Sequence, residues 1–95
     1  MHVPGHSPGS VVFHDSVHGV AFTGDVLMKG VIGRTDLAES SSVAMAASLQ
    51  SMMTQLPDET VLLSGHTKET TMAQEKKSNR FLKPQMLQRL AKQDL

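Results

Sequence analysis

Apolar residues in this chain come in short runs, each bounded by turn formers. Residues 10–14 (Ser10 to His14) read as a strand, Asp15 to Gly19 as a turn and Val20 to Thr23 as a second strand. Together they predict a hairpin. Residues 24–38 are broken by glycines and polar residues and read as irregular. The serines at 40, 41 and 42 can cap a helix. Met45, Leu49, Met52, Met53 and Leu56 then recur at helical spacing, which predicts a helix over 43–56 that Pro57 and Asp58 end. Thr60 to Leu63 is a third strand of undetermined direction. Thr71 and Gln74 fit a capping box for a helix running toward Asn79. Pro84 can open a last helix with Met86, Leu87, Leu90 and Ala91 on its apolar side. No internal repeat is visible.

Composition narrows the class. At 95 residues the chain has room for a single modest domain, 1–95. Nine basic and nine acidic residues cancel, so nothing draws it to nucleic acid or to an anionic membrane. There is no cysteine, which excludes disulfides and thiolate metal sites. No apolar run matches a bilayer, and no basic segment followed by an apolar core marks an export signal, so the expected location is cytoplasmic. With three Phe, no Trp and no Tyr, the core must rest on aliphatic residues and seven Met.

Three loops carry candidate chemistry: Pro4 to Gly9 with His6, Thr23-Gly24-Asp25, and Ser64-Gly65-His66. Each sets a possible metal donor beside a strand. Two imidazoles and a carboxylate suit zinc, with iron or manganese as alternatives. In a hairpin the start of one strand lies beside the end of the next, so His6 and Asp25 belong at one end of the sheet. His14 and His18 fall at the other end. His66 joins the first two if the third strand runs parallel to the second. His2, His14 and His18 read as structural or solvated. The Met45–Leu56 stripe reads as core, and Lys76-Lys77 as a solvated helix face.

The same text resembles the metallo-β-lactamase superfamily, and within it the small glyoxalase II-like hydrolases. The matching segments are Val3 to Ser10, Val20 to Leu27, Gly30 to Leu37, Leu56-Pro57-Asp58, Ser64-Gly65-His66, Glu69-Thr70-Thr71 and Glu75-Lys76-Lys77, in order over about residues 2–82. The resemblance implies half of an αβ/βα sandwich, an α/β (α+β) fold with a small sheet and flanking helices. It implies that the histidine at 6 binds a first metal, the aspartate at 25 bridges two metals at the catalytic centre, and the histidine at 66 binds the second. Lys29 and Arg34 lie where the family holds the substrate's carboxylates, although Arg34 can equally pair with Asp36 or Glu39.

The family's remaining ligands come from a His-x-His-x-Asp-His loop, which this sequence lacks. The expectation is therefore a partial domain corresponding to the family's C-terminal half. The implied reaction is hydrolysis of a thioester, such as a glutathione conjugate, by hydroxide generated on the metals, with little catalysis by these residues alone. Two alternatives stand beside it. One is an iron oxidoreductase of the persulfide dioxygenase type, in which the residue matching His66 is not a ligand. The other is a non-catalytic half-domain that pairs with a complementing half, or with itself, through an open sheet face. Val12, Val20 and Phe22 are the residues expected on that face.

Overall fold

A computed structural model describes residues 1–93. Four short strands form the main sheet: β1 (Phe13–Asp15), β2 (Val20–Phe22), β5 (Val61–Leu63) and β6 (Thr70–Thr71), in the order β1-β2-β5-β6. A second hairpin, β3 (Leu27–Met28) with β4 (Val31–Ile32), stands apart from it. Three helices complete the described chain: α1 (Ser42–Gln55), α2 (Met72–Ser78) and α3 (Pro84–Leu90), with a 3₁₀ turn at Arg80–Leu82. The class is α+β, a small sheet with flanking helices. No helix among the described residues is long and apolar enough to cross a membrane.

The first hairpin forms where the pattern puts it, but its first strand starts later. β1 begins at Phe13, while Val11 makes only an isolated bridge to His2. The turn closes because Asp15 accepts hydrogen bonds from both the His18 amide and the His18 ring, at 3.1 and 2.8 Å. β2 pairs antiparallel with β1 and parallel with β5. The direction left open by the sequence is thus resolved, and α1 lies in the crossover between β2 and β5. Such parallel pairing requires a long connection, which the helix fills.

Helix α1 is capped by Ser41, whose hydroxyl accepts the Ala44 amide. Met45, Leu49 and Met52 are fully buried and Leu56 nearly so, which makes the stripe core as expected. They join Val3, Val12, Ala21, Leu62, Met72, Leu82, Leu87 and Leu90 in one cluster. Thr71 caps α2 by accepting the Gln74 amide. In α3, Leu87 and Leu90 are buried, whereas Ala91 lies past the helix and is exposed.

Two expectations need correction, and one strand was not foreseen. Residues 24–38 are not irregular throughout, because the β3–β4 hairpin lies within them; its strands have two residues each, too few to show a period. β6 is likewise too short to leave a pattern in the sequence. Val12 is not exposed on an open sheet face but fully buried, because it precedes β1 and its amide bonds to Met1, turning it into the core. Phe22 is exposed as expected, together with its cross-strand partner Phe13, while Val20 is half-buried.

Candidate metal centre

Three loops deliver the candidate donors to one rim of the sheet. His6 precedes β1, Asp25 follows β2 and His66 follows β5, so the antiparallel and parallel pairings bring all three to the same end. Gly24 and Gly65 stand immediately before Asp25 and His66 with φ of 54° and 86°. That left-handed conformation turns the chain sharply off each strand and is cheap only for glycine.

The Asp25 carboxylate is the hub. Its Oδ1 lies 2.7 Å from His66 Nε2, and its Oδ2 lies 3.7 Å from His6 Nε2. The longer distance is too great for a hydrogen bond. His6 is oriented from behind: its Nδ1 sits 2.9 Å from the Arg34 carbonyl oxygen. A carbonyl only accepts, so Nδ1 carries the proton and Nε2 presents its lone pair toward Asp25 in the neutral ring. A lone pair facing a carboxylate oxygen is unfavourable unless a cation lies between them. Ring orientation by a backbone carbonyl is also the usual support of a metal-bound histidine.

The donor chemistry therefore fits a divalent ion, but as pairs. Among the described residues, no group of three or more His, Cys, Asp or Glu side chains is arranged to hold a metal ion. Asp25 instead turns one oxygen to each imidazole, as a carboxylate shared between two positions does. The carboxylate is half-exposed and the His66 ring more so, whereas the His6 ring is mostly covered.

The loop of His6 is clamped by helix α1 and the residues that lead into it. The Ser41 amide donates to the Gly5 carbonyl at 2.7 Å, Ser40 Oγ to the His6 carbonyl at 2.8 Å and Ser48 Oγ to the Pro4 carbonyl at 2.7 Å. Two of the serines read as helix-capping residues, Ser40 and Ser41, thus also hold the loop. Gly33 closes the other side: a Cβ there would collide with the Asp25 carbonyl oxygen and lie 3.1 Å from His6 Cγ.

The two basic candidates part ways. Arg34 spends its guanidinium on Asp36, with Nε to Oδ1 at 2.7 Å and Nη2 to Oδ2 at 3.1 Å, which is the alternative pairing open to it from the sequence. Its contribution to the rim is its carbonyl. Lys29 is exposed at the tip of the β3–β4 turn, and its amide donates to Thr67 Oγ1 in the His66 loop at 3.3 Å. The other histidines lie elsewhere: His18 on Asp15, His2 against the Pro8 carbonyl at 2.6 Å, and His14 exposed on β1.

Some supporting residues were not legible. The role of Arg34 belongs to a main-chain atom and leaves no trace in side-chain pattern. Glu75 is fully buried, next to the Lys76-Lys77 pair read as a solvated face; of that pair Lys77 is exposed and Lys76 half-buried, with its ammonium on Asp58 at 2.6 Å. A signal for Glu75 existed: with Met72 and Asn79 it lies at helical spacing on the buried face of α2.

The chain is similar to several known proteins. Hydroxyacylglutathione hydrolase GloC of Haemophilus influenzae is 43% identical over 82 residues, covering 86% of this chain and 39% of that protein. The crystal structure of TTHA1623 in a di-iron-bound form superposes with a TM-score of 0.83 at 43% identity, over 86% of this chain and 41% of that one. ETHE1 from Myxococcus xanthus superposes with a TM-score of 0.81 at 27% identity, over 100% of this chain and 45% of the other. The chain thus spans about two fifths of the length of such relatives. The family model described as metallo-beta-lactamase superfamily matches residues 1–66. By that match, and by the relatives whose fold it shares, the chain belongs to the metallo-beta-lactamase superfamily.

Proposed function

We propose that His6, Asp25 and His66 are metal donors of a hydrolase that cleaves thioesters, with a glutathione conjugate as substrate class. The observation that carries this reading is the Asp25 carboxylate turned toward two imidazoles, one of them fixed by the Arg34 carbonyl. The likeness to a hydroxyacylglutathione hydrolase supports the thioester. Zinc suits the donors best, and the di-iron form of TTHA1623 makes iron the next choice. A bound divalent ion would supply Lewis acidity at the rim, making hydroxide available near neutral pH and polarising a carbonyl.

The chain's own residues have separable tasks. His6 offers Nε2 because Nδ1–H is held by Arg34. Asp25 divides its oxygens between two positions. Lys29, with no side-chain partner among the described residues, is the cation available to a substrate carboxylate. Arg34 would have to leave Asp36 to act likewise. Three donors split between two positions leave each short, so the remaining ligands come from outside residues 1–93, on further chain or on a partner. A complementing domain that carries such a loop, seated on the open sheet face, would bring them.

A second reading has its own observation. His66 Nε2 is already hydrogen-bonded to Asp25 at 2.7 Å, which suits a site where His66 orients the carboxylate and one iron sits with His6 and Asp25. The likeness to ETHE1 along the whole chain adds to that oxidoreductase reading. Metal stoichiometry after loading with zinc or ferrous iron separates the two. On the first reading Asp25→Ala abolishes uptake and His66→Ala lowers the count. On the second His66→Ala leaves one iron in place. Uptake unchanged by Asp25→Ala would refute both. Thioester hydrolysis is expected only when the missing donors are supplied.

A further inference from the structure

We propose that Glu75, assisted by Asn79, is a positioning residue for the His6–Asp25–His66 cluster and acts through the β3–β4 hairpin. Glu75 lies on α2 with no exposed surface. Its hydrogen-bond partners are all neutral. Its Oε1 accepts the Gly30 amide at 2.8 Å and Asn79 Nδ2 at 2.9 Å, and its Oε2 accepts the Thr70 hydroxyl at 2.8 Å. Burying a carboxylate is costly, and hydrogen bonds to neutral donors offset that cost only in part. Packing alone would be served better by another Met or Leu beside Met72. The retained carboxylate therefore points to what it holds.

What it holds is the tip of the hairpin. Glu75 takes the Gly30 amide, and Asn79 Nδ2 also donates to the neighbouring Val31 carbonyl at 3.2 Å. Helix α2 and its C-cap thus grip one donor and one acceptor on consecutive residues, which fixes the hairpin's position and its register. The hairpin in turn meets all three donor loops. Its first strand closely follows Asp25, and the Gly33 amide closes back on the Val26 carbonyl at 3.0 Å. Its exit supplies the Arg34 carbonyl that orients the His6 ring. Its turn donates the Lys29 amide to Thr67, whose hydroxyl also meets Ser64 at 3.0 Å in the loop of His66. A carboxylate outside the rim is thereby linked to both imidazoles by one short element.

The consequence for metal binding rests on the donor reading above, but the test reads the rings directly. In the metal-free chain, ring-nitrogen NMR should show His6 in the Nδ1–H tautomer, and the Gly30 amide should exchange slowly. Glu75→Gln keeps the Oε1 acceptor, and the Thr70 hydroxyl can turn to meet the new amide, so both signals should persist. Glu75→Asp keeps the charge but cannot reach Gly30. There, Gly30 exchange should rise about tenfold or more, and the His6 tautomer should become mixed. A folded Glu75→Asp with the His6 tautomer unchanged, even at a lower melting temperature, would overturn the proposal. If that variant does not fold, the wild-type Gly30 amide decides: exchange at the rate of an open turn overturns it. Failure of the wild type to take up zinc even when the missing donors are supplied counts against the donor reading and leaves the ring signals to decide the role of Glu75.

Discussion

Gly33 shows how tightly single residues are bound to the candidate site. Its absent side chain leaves room for the Asp25 backbone to pass, and a methyl group there would meet a carbonyl oxygen that cannot step aside. Gly33→Ala should cost about 1–3 kcal/mol, the usual range for overpacking. It should also spread Asp25 and His6 apart and weaken metal uptake, so thermal melting and zinc titration of the variant together check the point. At the far end of the sheet, Asp15 is held below the ordinary carboxylate range, first by the hydrogen bond from the His18 ring and then by that from the His18 amide. Its ionised form favours the folded chain at neutral pH, and that contribution disappears as pH falls through the lowered folded value. Because the pair is open to solvent, the effect is small. His18→Ala should bring the Asp15 titration back up toward a free carboxylate, as carboxyl NMR would record.

At the scale of elements, α1 serves both the core and the site. Its inward side carries Met45, Leu49 and Met52, and it holds the His6 loop through its cap Ser41 and through Ser48. Leu49→Ala removes a fully buried side chain and should cost about 2–5 kcal/mol in chemical denaturation. Because α1 is the floor under the loop, metal affinity should fall with stability in that variant. A substitution on the solvent side of α1, such as Gln50→Ala, should move neither. The β3–β4 hairpin is a smaller element: Leu27 is buried and Ile32 packs at the edge of the core, and polar ties to Glu75, Asn79 and Thr67 hold its turn.

Across the whole molecule, the sheet is covered on one side only. Ala21, Leu62 and Thr70 form a buried row across β2, β5 and β6. On the opposite side Phe13, Phe22 and Leu63 form a row in which Phe13 is 70% and Phe22 52% exposed. The described chain nonetheless has a radius of gyration of 12.2 Å, close to the ~12 Å of a collapsed domain this long. Its own core therefore accounts for the compaction, and the phenylalanine row is surplus to it. Exposed aromatic rows favour association. Replacing Phe13 and Phe22 together by Ser should reduce self-association in sedimentation velocity with little loss of monomer stability. Unchanged association would place any contact on another surface.

Much of this was legible in the residues alone, for physical reasons that differ by element. The α1 stripe, the capping of α2 by Thr71 and the first turn follow from periodicity and local side chain to backbone bonding, which neighbouring residues determine by themselves. The convergence of His6 with Asp25 also follows locally, because a hairpin closes its own ends. Placing His66 with them needed the parallel pairing of β2 and β5, a long-range contact that no local pattern encodes. Only the tertiary fold decided that Val12 turns inward, that Arg34 acts through its carbonyl and that Glu75 is buried beneath the hairpin. Each of those depends on backbone atoms brought together from distant segments, and backbone atoms are the same whatever the residue.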